Sequence, residues 1–207
     1  MTIEHSDKAF RKEFCGLVKI IIDNYIALLR GVNVGGKNMI KMADLKRMFE
    51  GMGLHQVQTY IQSGNVLFRS DEEEAALRKR IEHEFERFFG FSVIIVLRTV
   101  AELESIIRNC PFSEESKAEA ESTSETETLY VALLLQSPPK EGIERLTAYS
   151  SKSEELRIDG RDVFLLFHHS IRNSKLANNL HKLGVPMTVR NWKTINKLVA
   201  LANVMEE

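Results

Sequence analysis

Apolar positions along this chain fall into two periods that alternate in a fixed order. Asn24–Val34 is nearly continuous in apolar residues apart from Arg30, and reads as a central strand. From about Ile40 to Gly51 the period changes: Met42, Leu45, Phe49 and Met52 predict a helix that Gly53 stops. Gln56–Gln62 and Val66–Ser70 are β-prone runs joined by Ser63-Gly64-Asn65, a hairpin signal. Asp71 is positioned to cap a helix reaching Phe89, with Leu77, Ile81, Phe85 and Phe88 inward and Gly90 at its end. Ser92–Arg98 is a fourth strand, and a helix over about Val100–Asn109 stops at Pro111.

The second half repeats that order. Leu129–Gln136 is a strand, Lys140–Ser150 a helix, and Glu155–Ile158 with Asp162–Phe167 a hairpin turning at Asp159-Gly160-Arg161. Ser174–Leu183 reads as a helix capped by Ser174 and Gly184, Met187–Val189 as a short strand, and Asn191 to about Met205 as a final helix. Between the halves, Ser113–Glu127 has no aromatic and no β-branched apolar residue, which predicts a mobile linker. The expected fold class is α+β: two tandem ferredoxin-like (βαββαβ, α/β-plait) domains plus a C-terminal helix. The expected divisions are a leader over 1–22, a first plait with its connecting helix over 23–110, a flexible acidic linker over 111–127, and a second plait with the C-terminal helix over 128–205.

Composition narrows the function classes. The 207 residues carry a net charge of −1, which gives no global electrostatic case for nucleic acid or membrane. No apolar run reaches the length of a membrane span, and Leu17–Ile22 is too short and too charged upstream for a secretory signal. Two cysteines, Cys15 and Cys110, have no partners at zinc-ligand spacing, so reduced thiols and a cytoplasmic setting are expected, with no metal and no cofactor. The charge is uneven, however. Residues 71–127 hold fifteen acidic side chains against seven Lys or Arg, whereas 163–205 hold six Lys or Arg and no acid. That basic stretch is an expected anion footprint.

Several turns carry chemistry. Gly31 to Lys37 matches GxxxxGK, but Asn38 follows where a P-loop has Ser or Thr for Mg²⁺, and no apolar strand ends in the second metal-binding Asp. The turn reads instead as an anion site, with glycines at positive φ and Lys37 and Arg30 supplying charge. Gln62-Ser63-Gly64-Asn65 is a polar hairpin turn outside GxSxG, so Ser63 is not read as a nucleophile. The third strand has only Phe68 as an aromatic, too few for an RNA-stacking surface. Ser170 to Lys175 and Arg190 to Lys193 open helices with cations. His168 and His169 point to opposite faces of a strand and make a poor metal pair.

YIALLRGVNVGGKNMIKMADLK, TYIQSGNVLF, SKL and VRNWKTINKL, in that order and spacing, resemble a largely bacterial family known as domain-of-unknown-function family 1697. The resemblance runs from about Tyr25 to Leu201 and leaves the leader outside. It implies two α/β plaits in tandem and no established activity. The residues assigned here to ligand binding are Arg30, Asn33, Gly35, Gly36, Lys37, Ser63, Asn65, Lys175, Arg190 and Lys197, converging at one cleft between the plaits. The expected partner is an anionic, phosphate-containing small molecule or a nucleic acid, with no membrane. The alternatives are an enzyme on a phosphorylated or carboxylated substrate, for which no catalytic residue stands out, and a protein-interaction scaffold.

Overall fold

The structure, a computed structural model, describes residues 22–205, so the leader expected over 1–22 lies outside it except for Ile22. The first half runs β1 (Asp23–Leu29), α1 (Met42–Gly51), β2 (His55–Tyr60), β3 (Asn65–Ser70), α2 (Glu74–Phe89), β4 (Ile95–Thr99) and α3 (Val100–Arg108). After α4 (Glu114–Thr123), the second half runs β5 (Leu129–Leu134), α5 (Lys140–Thr147), β6 (Glu154–Asp159), β7 (Asp162–Phe167), α6 (Lys175–Asn178), β8 (Met187–Asn191) and α7 (Trp192–Val204). The chain is thus α+β, with two four-stranded antiparallel sheets of order β2-β3-β1-β4 and β6-β7-β5-β8 and a helix at its C-terminal end.

Strand alternation divides the apolar side chains into three clusters. Tyr25, Ala27 and Leu29 face α1 and α2, where they pack with Leu45, Phe49, Leu77, Ile81 and Phe85. Ala132 and Leu134 pack with Leu146, Leu176 and Leu183 on the outer face of the second sheet. The inner faces share one cluster: Ile26, Leu28, Leu67 and Val96 from the first sheet, Val131, Leu133, Phe164 and Leu166 from the second, and Leu103, Ile106, Ile195 and Leu198 from α3 and α7. Each buried Leu or Ile contributes roughly 1.5–3 kcal/mol. Neither half covers its inner sheet face without the other.

Four local expectations are corrected. The first strand ends at Leu29 rather than Val34, because Gly31 and Asn33 take positive φ and turn the chain out of the sheet. Ser113–Glu127 contains a helix, α4, with Ser113 accepting from the Ser116 N–H and Ala120 fully buried in the shared core. One small buried residue and a cap suffice where the rest of the segment is polar. The helix expected over Ser174–Leu183 is broken into α6 between two 3₁₀ turns, Ile171–Asn173 and Leu180–Leu183. Asn179 is the break: its amide donates to the Lys175 carbonyl at 2.8 Å, taking the acceptor a continuing helix would use. The α2 cap is Glu73, whose carboxylate accepts from Ala75 and Ala76 N–H, rather than Asp71.

Candidate functional site

The two halves meet through a reciprocal pair of arginines. Arg98 is the penultimate residue of β4 and Arg190 the penultimate residue of β8. Arg98 Nη2 donates to the Leu134 carbonyl at the end of β5 and to Asp162 Oδ1 at the start of β7, both at 2.9 Å. Arg190 Nη2 donates at 2.9 Å to the Leu29 carbonyl at the end of β1, and its Nε donates at 2.7 Å to Asn65 Oδ1 at the start of β3. Leu28 pairs with Asn65 as Leu133 pairs with Asp162, and the Leu29 N–H meets the Gly64 carbonyl as the Leu134 N–H meets that of Arg161. Residue for residue the contact is isologous, as between two copies of one chain.

Arg190 is almost wholly inside this clasp. Its Nη1 donates to Thr188 Oγ1 and the Val189 carbonyl, and Nη2 also reaches the Ser63 carbonyl at 2.9 Å. All five guanidinium donors are therefore spent on protein acceptors. Burial pushes its pKa down to about 10, still well above neutrality, so it remains charged. Arg98 is fully buried and less well served, with Nε left without a partner among the described residues. Burial pushes the Asp162 carboxyl up, against the opposing pull of Arg98.

Arg161, in the β6–β7 turn, reaches back across the contact. Its guanidinium forms two 2.8 Å bonds with the Glu74 carboxylate at the start of α2 and also pairs with Glu102. Glu102 closes a capping box with Thr99 at the head of α3. Burial pushes the Glu102 carboxyl up, but the Thr99 N–H and Arg161 outweigh it and hold it below the usual carboxylate range.

The glycine-rich loop stands at the opposite end of the first sheet. Gly35 and Gly36, both at positive φ, turn the chain between bridged Val34 and Lys37. Asn33 ties the loop down: its Oδ1 accepts from the Ile40 N–H at 2.8 Å and its Nδ2 donates to the Gln62 carbonyl at 2.9 Å. Lys37 is exposed and has no ion partner among the described residues. Gly64 holds φ +72°, and a Cβ there would lie 2.5 Å from Val32 Cγ2.

Beside the clasp a groove of about 490 Å³ opens between the halves. Arg30 and Ile94 line it from the first half, and Asn178, His181, Thr188 and Val189 are among those lining it from the second. No Asp or Glu contributes to its wall. Arg30 is exposed, its backbone N–H held by the Ile94 carbonyl at 2.9 Å, and its guanidinium has no partner among the described residues.

Of the residues assigned from sequence, Arg30 lines this groove. Ser63, Asn65 and Arg190 come together next to it, but as parts of the clasp, with Ser63 Oγ accepting from Asn65 Nδ2 at 3.0 Å. Asn33, Gly35, Gly36 and Lys37 form the loop that leads away from Arg30. Lys175 opens α6, two residues before the groove-lining Ala177, and Lys197 is exposed on α7. Sequence reasoning missed His181 and Asn178, which lie in an interrupted helix, and also Arg98 and Arg161. A charged residue closing an otherwise apolar strand was the available signal for Arg98. Among the described residues no group of three or more His, Cys, Asp or Glu could hold a metal ion, and no helix is long and apolar enough to cross a membrane.

A family described as "Protein of unknown function (DUF1697)" matches residues 22–164. The conserved bacterial protein SP0830 from Streptococcus pneumoniae has a similar solved structure, with 26% identity and a TM-score of 0.64, covering 88% of this chain and 99% of that one. Comparison with curated proteins returns no match. The chain belongs to the DUF1697 family.

Proposed function

We propose that this member of the family is a binding module for a small phosphate-bearing anion, held in the groove between its halves, and that each half is a ferredoxin-like plait. The plait reading is supported by the strand order β2-β3-β1-β4, repeated as β6-β7-β5-β8, with helices following the first and third strands of each half. The ligand reading rests on Arg30. An exposed guanidinium with no carboxylate partner, in a concave wall free of Asp and Glu, favours an anion, and its planar fork suits a phosphate or carboxylate. Asn178 and His181 add further hydrogen-bonding groups on the opposite wall. The neighbouring clasp holds the two walls in register.

The test is a thermal-shift series with inorganic phosphate, sulfate and nucleotides on the wild-type protein and Arg30→Ala. A ligand at about 100 times its Kd stabilises the fold by roughly 2.7 kcal/mol. The shift disappears in Arg30→Ala if the reading holds. An equal shift in both proteins contradicts it. A second reading, an enzyme on a phosphorylated small molecule, is favoured only by His181, the one acid–base group in the wall. It requires turnover of a phosphate ester that His181→Asn abolishes.

A further inference from the structure

The isologous contact has two ends that are alike in backbone and opposite in charge. At one end, Arg161 bridges Glu74 at the start of α2 and Glu102 at the third position of α3. The backbone pairing that equates Arg161 with Gly64 also equates Glu102 with Thr194, the third position of α7, whose N–H binds the capping Asn191. Glu74 opens α2 as Lys175 opens α6, the helix that follows the third strand of each half. One turn into α3, Ser105 lines a 240 Å³ groove with Asp159, Gly160 and Arg161. Its counterpart on α7 is Lys197.

The second end thus carries Lys175, Lys197 and Arg30 where the first carries two acids paired to an internal cation. The turn there, Ile61 to Gly64, contributes no charge. Direct contacts tie the turn and the end of β1 to the strand that leads into α7. Arg190, which leads into α7, bonds to the Ser63 carbonyl and to that of Leu29, the residue before Arg30. Lys193, one turn earlier on α7 than Lys197, is already paired with Glu127 at 2.6 Å, whereas Lys197 has no ion partner among the described residues. One carboxylate, Glu154, stands at the head of α6, held by Ser174 Oγ and the Leu176 N–H at 2.9 and 3.0 Å.

We propose that this end seats an anion with two separated charged groups, a diphosphate, one group at Arg30 in the groove and the other over the Gln62–Ser63 turn at Lys197. The inference rests on the groove reading and names its ligand class. An external anion supplies between the cations the charge that Glu74 and Glu102 supply around Arg161. Lys197 is exposed, so its removal leaves the core intact.

The experiment is calorimetric titration of inorganic phosphate and inorganic pyrophosphate into wild type, Arg30→Ala, Lys197→Ala and Lys193→Ala. Wild type binds pyrophosphate at least about tenfold more tightly than phosphate, a difference of about 1.4 kcal/mol. Lys197→Ala loses that preference while keeping phosphate affinity, and Lys193→Ala keeps both. If Lys197→Ala keeps the preference, or Lys193→Ala loses it equally, the diphosphate seat is overturned and the Arg30 groove stands. If Arg30→Ala leaves phosphate binding unchanged, or neither anion binds wild type, the groove reading falls and the seat with it.

Discussion

Arg98 and Arg190 occupy one structural position twice, each reaching from the last strand of its own half to the first- and third-strand ends of the other. They differ in how fully they are bonded. Arg190 spends every donor, whereas Arg98 leaves Nε unpartnered but gains a carboxylate in Asp162. The side chain that reads from sequence as a ligand cation is thus the better-satisfied half of the lock between the two halves.

Removing Arg190 strands the Leu29 and Ser63 carbonyls and Asn65 Oδ1 in a buried site. Arg190→Ala should cost about 3–5 kcal/mol in urea unfolding. Arg190→Lys should recover little, because an ammonium cannot reproduce the five-donor fork. Full recovery by Lys would contradict the geometry.

Gly64 is a second point of no tolerance. Its φ of +72° and the 2.5 Å approach a Cβ would make to Val32 both act against a side chain. Gly64→Ala should lose at least about 1–2 kcal/mol from the left-handed backbone alone. Gly36→Ala, with open space around it, should lose only that backbone part. Chemical denaturation of both variants checks the difference.

Acid stability should depend on Glu102. Its folded pKa is lowered, so its contribution is complete above the unfolded carboxylate value, about 4.3, and is lost as pH falls through the folded value. Stability measured between about pH 6 and pH 3 should therefore fall less steeply in Glu102→Gln than in wild type, from a lower starting point. Parallel curves would remove Glu102 from the account.

The segment between the halves separates what the sequence makes legible from what it does not. Periodicity located the strands and most helices because their apolar residues are numerous and regular. It missed α4, whose one buried side chain is Ala120 and whose Thr123 hydroxyl donates to the His168 carbonyl, and the interruption of the 174–183 helix, which depends on one Asn179 side-chain bond. The candidate groove was legible only in part. Arg30 announced itself as a cation beside a glycine turn, but the fate of Arg190 is decided by partners up to 161 positions away, which no local pattern encodes. Ala120→Glu should destabilise by about 2–3 kcal/mol, whereas the exposed Ala118→Glu should be near neutral. Equal effects in thermal unfolding would deny α4 its place in the core.

Whether Arg30 anchors an anion between the halves is decided by a crystal structure grown in phosphate. An anion is expected within hydrogen-bond distance of the Arg30 guanidinium, inside the groove with Asn178 and His181 on its far wall. A bound phosphate at the Lys37 loop tip with the groove empty would contradict it.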